Sequence, residues 1–97
     1  MINIQIQADP EDNALDLVRS AIAAEVNRLE LGIRTTERHI HVFEDRYQVS
    51  SDIFLREYSA EDLADGDQEY VVWAGELNLR DRIASQLKTL KGIQYAA

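Results

Sequence analysis

The chain has no cysteine, one proline, four glycines and one tryptophan among its 97 residues. Without cysteine it has neither disulfides nor thiolate metal sites, an absence consistent with the cytosol. With so few prolines and glycines and a high share of Ala, Leu, Glu and Arg, the composition leans towards helix. No apolar run approaches the ~20 residues that span a bilayer. The opening MINIQIQADP has neither the basic stretch nor the apolar stretch of a signal peptide. A cytoplasmic protein is therefore expected. The length suits one domain, 1–97, at the small end of what folds alone. Positive charge is scarce as well: ten Lys and Arg stand against eighteen Asp and Glu, a formal net charge of −8. That balance repels nucleic acid and anionic lipid, so neither direct nucleic-acid binding nor membrane association is expected.

The deficit is local. Between Glu44 and Glu76 there are ten acids and two bases (Arg46 and Arg56), a net of −8, while the rest of the chain holds eight acids and eight bases, a net of zero. A neutral body with one strongly acidic end is suited to meeting something basic.

The elements follow from periodicity. Ile2, Ile4 and Ile6 alternate with Asn3, Gln5 and Gln7, a period of two that reads as a strand. A lone strand cannot stabilise itself, and the sequence shows no obvious partner for it. Residues 1–8 are thus a strand-like arm or a loosely packed one. ADPED starts a helix, with Asp9 at the N-cap, Pro10 at N1, and Glu11 and Asp12 in the first turn. From Leu15 to Tyr47 apolar positions recur in steps of three and four, predicting one helix over 10–47, roughly 55 Å long. VSSDIF breaks it. Ser50 or Ser51 can cap a short helix, and Ser59 with Asp62 can cap another turn, so that 50–65 forms an acidic helical connection. Gly66 supplies a turn. The last helix, over 68–91, faces inward with Tyr70, Trp73, Leu77, Ile83 or Ala84, Leu87 and Leu90. Gly92 suits its C′ position, with Ile93 folded back on Leu87.

The expected fold is mainly all-α: a long helical hairpin with an acidic connection and a short N-terminal arm. Its helices differ in length. The second, about 36 Å long, covers only the Val26–Tyr47 half of the first. Leu15, Val18 and Ile22, with Ile2, Ile4 and Ile6 of the arm, are left as apolar surface calling for a homodimer, another protein, or both. Gly75 inside a helix implies a close approach, opposite Tyr47 or Phe43.

Signs of chemistry are weak. Asp62, Asp65, Asp67 and Glu69 lack the glycine and glutamate offsets of a calcium loop and read as caps and solvated acids. His39 and His41 fall on different faces of a helix, so they do not converge on a metal. A trio of Ser50 or Ser51, His39 or His41 and Asp52 has no nucleophile-elbow pattern around it. Tyr47, Phe54, Tyr58, Tyr70 and Trp73 read as a hydrophobic plug at the hairpin tip. No catalytic residue, metal or cofactor is expected.

The series Phe43-Glu44, Tyr47, Ser50-Ser51, Phe54, Asp62-Leu63, Asp65-Gly66-Asp67, Glu69-Tyr70, Trp73-Ala74 and Glu76 resembles a group of small acidic helical proteins of bacteria and archaea. Their genes commonly sit beside a toxin gene of the TumE-like type, which makes them look like antitoxins. The resemblance covers about Val26 to Leu90. It departs at Gln48, where the pattern has Gly, and at Arg46, where Lys is usual. It implies a non-enzymatic module that neutralises a small basic toxin through Asp62, Asp65, Asp67 and Glu69. The apolar arm Ile2, Ile4 and Ile6 with Leu15, Val18 and Ile22 would then serve partner binding or dimerisation. The alternative is a homodimeric helical-hairpin adaptor without catalytic activity.

Overall fold

A computed structural model describes residues 2–58 and 67–96. In chain order these form strand β1 (Ile2–Gln5), a 3-10 turn (Pro10–Asp12), helix α1 (Ala14–Tyr47), short helix α2 (Ser51–Glu57), helix α3 (Asp67–Lys91) and strand β2 (Ile93–Ala96). Helices α1 and α3 pack along each other as a long hairpin, and the molecule measures 61 × 20 × 18 Å. The expected Ser59 cap and the Gly66 turn lie outside the described residues.

The long helix begins four residues later than its sequence suggests. Asp9 is extended and makes no side-chain cap bond, Pro10–Asp12 closes a separate 3-10 turn, and Asn13 at φ 51° redirects the chain into α1. Asparagine tolerates that left-handed conformation better than most residues. At the other end Gln48 adopts φ 53° and returns its backbone N–H to the Glu44 carbonyl. This is a left-handed helix terminus, the position at which glycine is favoured. The Gln48 side-chain amide donates to the Asp45 carbonyl at 2.6 Å, which offsets part of the conformational cost. Ser50 then caps α2, its hydroxyl accepting from the Ile53 N–H at 3.3 Å.

Two apolar clusters hold the hairpin. Near the tip, Ile40, Phe54, Trp73 and Leu77 are buried, with Phe43, Tyr47, Val49, Tyr58, Tyr70 and Ala74 packed around them. Further from it, Leu29, Ile83 and Leu87 are buried against Val26, Ile33 and Leu90. The inward face of α3 thus uses Ile83, and Ala84 is exposed. At the tip Trp73 stacks on Phe54 with centroids 3.8 Å apart and planes 4° from parallel, and on Phe43 at 5.5 Å and Tyr47 at 5.9 Å. The aromatic residues do form the plug that their spacing suggests.

Two expectations need correction. The arm has a partner within the chain: β1 pairs in parallel with β2, Ile2 opposite Ile93 and Ile4 opposite Tyr95. Ile93 therefore starts a strand instead of folding back as a helix cap. This small sheet lies beside the first turns of α1, where the Arg19 guanidinium sits 5.3 Å from the centre of the Tyr95 ring. Leu15, Val18 and Ile22 are half-buried, as are Ile4 and Ile6. Ile2 is exposed, so the apolar surface expected to stand uncovered at this end is covered in part. The second correction concerns Gly75. Apart from its chain neighbours and the backbone of its own helix, nothing among the described residues lies within 4 Å of where its Cβ would be, so neither Tyr47 nor Phe43 makes a close approach there.

Candidate functional site

The end of the hairpin near α2 carries Glu44, Asp45, Asp52, Glu57 and Glu69 of the acidic segment, and folding uses part of that charge. The Glu44 carboxylate accepts from the Ser51 backbone N–H at 2.9 Å and the Ser51 hydroxyl at 2.8 Å. Ser51 in turn accepts from the indole N–H of Trp73 at 3.0 Å. This chain of bonds ties α1, α2 and α3 together beneath the aromatic stack. Glu69, in the first turn of α3, accepts from the Arg46 guanidinium and the Tyr47 hydroxyl. Its side chain retains 16% of its exposure, so this predicted contact residue clamps the tip of the hairpin. Asp45, Asp52 and Glu57 are exposed and extend the acidic surface along α1 and α2. Asp62 and Asp65 lie outside the described residues, and Asp67 opens α3 with its side chain undescribed.

Midway along the hairpin a second polar group bridges the helices. The Thr36 hydroxyl, buried, is shared between the Glu76 carbonyl at 3.0 Å and the Glu76 carboxylate. His39 Nδ1 meets the other carboxylate oxygen at 3.0 Å. Burial pushes the Glu76 carboxyl up, but the hydrogen bonds from Thr36 and His39 and the charge of His39 outweigh it and hold the group below its ordinary 4.5. The folded form therefore binds this proton less readily than the unfolded chain. The stability it contributes is present in full above that ordinary value and is lost as pH falls through the lower folded value. The melting temperature is expected to drop below about pH 4.5 and Glu76→Gln to flatten that drop, as read by circular dichroism between neutral and acid pH. Glu25 and Glu30 are also lowered, by hydrogen bonds from Arg28 and Lys91, but on the open surface solvent screens such pairs.

His41 faces Glu44 at 3.5 Å and His39 faces Glu76, so the two histidines serve separate carboxylates. Among the described residues no group of three or more His, Cys, Asp or Glu is placed to hold a metal, and no helix is long and apolar enough to cross a membrane. Every buried side-chain polar atom among them has a partner. Sequence reasoning missed the Thr36–His39–Glu76 group, whose members are 37 and 40 residues apart. A buried-phase threonine facing an inward-flanking glutamate was the only available signal. It also missed an exposed apolar row on one side of the hairpin: Leu31 and Val42 of α1 with Val72 and Leu79 of α3.

No family model matches this chain, and comparison with curated proteins and with solved structures found no match.

Proposed function

We propose that this protein is a non-enzymatic, antitoxin-like binding module that engages a small basic protein through its acidic hairpin end. The observation that carries this reading is the segregation of charge: the segment from Glu44 to Glu76 holds a net −8 and the rest of the chain a net of zero. Three of those acids, Glu44, Glu69 and Glu76, are engaged within the hairpin. Asp45, Asp52 and Glu57 remain exposed and supply surface charge for a partner, and Asp62, Asp65 and Asp67 belong to the same acidic stretch of the sequence. Such complementarity acts mainly on encounter rate and on the choice of partner. At the opposite end, among the described residues, β1 and β2 pair only with each other, so a partner strand can add to an outer edge.

Reversing Asp62, Asp65 and Asp67 to lysine, with Glu69 left in place because it clamps the tip, is expected to lower association with a basic partner at least tenfold at low salt. The helical circular dichroism should stay unchanged. Co-expression with the product of the adjacent gene, pull-down and a salt titration make the measurement. Salt-independent binding, or neutralisation retained by the triple variant, would remove the acidic end from the mechanism. A second reading, a homodimeric helical-hairpin adaptor, is favoured by the exposed row of Leu31, Val42, Val72 and Leu79.

A further inference from the structure

The side of the hairpin shared by α1 and α3 carries exposed apolar residues that nothing among the described residues covers. Leu31 is 56% exposed, Val42 57%, Val72 46% and Leu79 39%. Single exposed apolar residues are ordinary on a soluble protein, but several gathered on one side mark contact surfaces; here Thr35 and Arg38, bonded to each other at 3.2 Å, stand between Leu31 and Val42. These four line two shallow concavities that run along the same side and share His39 and Glu76. One turn of α3 separates Val72 from Glu76, and Gly75 lies between them. Glycine inside a helix weakens it relative to alanine, and here no internal packing compensates, because a Cβ at Gly75 would meet open space. Gly32 differs: its Cβ would touch the Ile83 side chain at 3.4 Å, so the hairpin itself accounts for it. Gly75, between Val72 and Leu79 in sequence, leaves open space on the surface of α3 into which another surface can come close.

The row is also symmetric. Leu31 and Val42 lie five and six residues either side of Thr36, and Val72 and Leu79 lie four and three residues either side of Glu76. Thr36 and Glu76 are bonded to each other, so both midpoints fall at the same height along the hairpin. A two-fold axis through that height, perpendicular to the helices, brings Leu31 of one copy over Val42 of the other and Val72 over Leu79. It brings the two copies of α3 together at Gly75. The arrangement sends the acidic ends of the two 61 Å molecules in opposite directions, which avoids like-charge repulsion. The face is large enough. The 25 residues of α3 span about 37 Å, and with the 20 Å width of the molecule that gives roughly 700 Å² per copy, near the ~800 Å² per partner of a standard stable interface.

We infer that two copies of this chain pack antiparallel through the face formed by Leu31, Thr35, Val42, Val72, Gly75 and Leu79, giving an isologous four-helix bundle. This surface is separate from the acidic end, so its test stands apart from that of the proposed partner.

Sedimentation equilibrium and light scattering on the full chain at micromolar concentration are expected to give a dimer mass. V72R combined with L79R should give a monomer with helical circular dichroism retained. Because the chain has no cysteine, single-cysteine variants provide a clean geometric probe. Gly75→Cys, at the axis, is expected to form an intermolecular disulfide under mild oxidation. Asp81→Cys, exposed and half a turn around α3 from Val72, is not. A monomeric wild type, a double-arginine variant that stays dimeric, or equal crosslinking at the two cysteine positions would overturn the inference. If the double-arginine variant loses its helices, the cysteine pair decides, since the Gly75 position has room for the new side chain.

Discussion

Replacing Trp73 by alanine is expected to destabilise the protein by about 3–5 kcal/mol, the range for emptying a large aromatic site in a packed core. Domains of this size have roughly 5–15 kcal/mol in total, so the substitution removes a large fraction of it. Trp73 is fully buried and lies against Phe54, Phe43 and Tyr47 at once. Phe54, the nearest ring, also packs against Tyr58 and Tyr70 and cannot fill the space without leaving them. The indole N–H also donates to Ser51, which hydrogen-bonds Glu44, so the same change loosens the link between α2 and both long helices. Trp73→Phe separates the two contributions: it keeps an aromatic ring in the stack and loses the N–H, and is expected to cost less than half as much. Urea denaturation followed by circular dichroism measures both. A loss below about 1 kcal/mol for the alanine variant would mean that the tip is held by something other than this cluster.

The second large effect is expected at the opposite end. Removing residues 92–97 deletes β2 and leaves β1 without a hydrogen-bonding partner. An isolated four-residue strand has no stability of its own, so amide protection over Ile2–Gln5 should vanish. The first turns of α1 should follow. Leu15, Val18 and Ile22 are half-buried there, Leu15 shares a small concavity with Ile6, and Arg19 loses its stacking on Tyr95. Full burial of such side chains stabilises by ~1.5–3 kcal/mol each. Half-burial of three therefore puts the local loss at about 2–4 kcal/mol. Hydrogen exchange read by mass spectrometry should show faster exchange across 2–26 and unchanged exchange around Trp73. Retained protection in β1 would show that the arm is anchored by α1 alone.

The long helices, the α2 cap at Ser50 and the aromatic plug were legible in the sequence because each rests on local spacing. Apolar steps of three and four fix a helical face, and a serine ahead of a short apolar run fixes a cap. The start of α1 was less legible: ADPED carries every sign of a helix start, and nothing in the letters says that Asn13 turns left-handed. The β1–β2 pairing was not legible, because Ile2 and Ile93 stand 91 positions apart and each strand is only four residues long. The acidic end was visible as composition. Its division into clamps such as Glu69 and free surface such as Asp52 needed Arg46 and Tyr47 to be placed in space. Gly75 suggested a close approach by Tyr47 or Phe43 that the structure does not show, since sequence spacing cannot tell the inner flank of a helix from the outer one.

The layout of contacts along the hairpin also sets an order for folding. Tyr47 and Glu69 meet across 22 residues and Thr36 and Glu76 across 40. Lys91 reaches Glu30 at 2.8 Å across 61, and Ile2 pairs with Ile93 across 91. Each closure brings the next pair together, so going from the first loop to the last adds only about 1 kcal/mol of chain entropy. The hairpin is built to zip from its aromatic end towards its sheet. Changes near Trp73 should therefore slow folding, whereas changes in the terminal strands should leave the folding rate alone and speed unfolding.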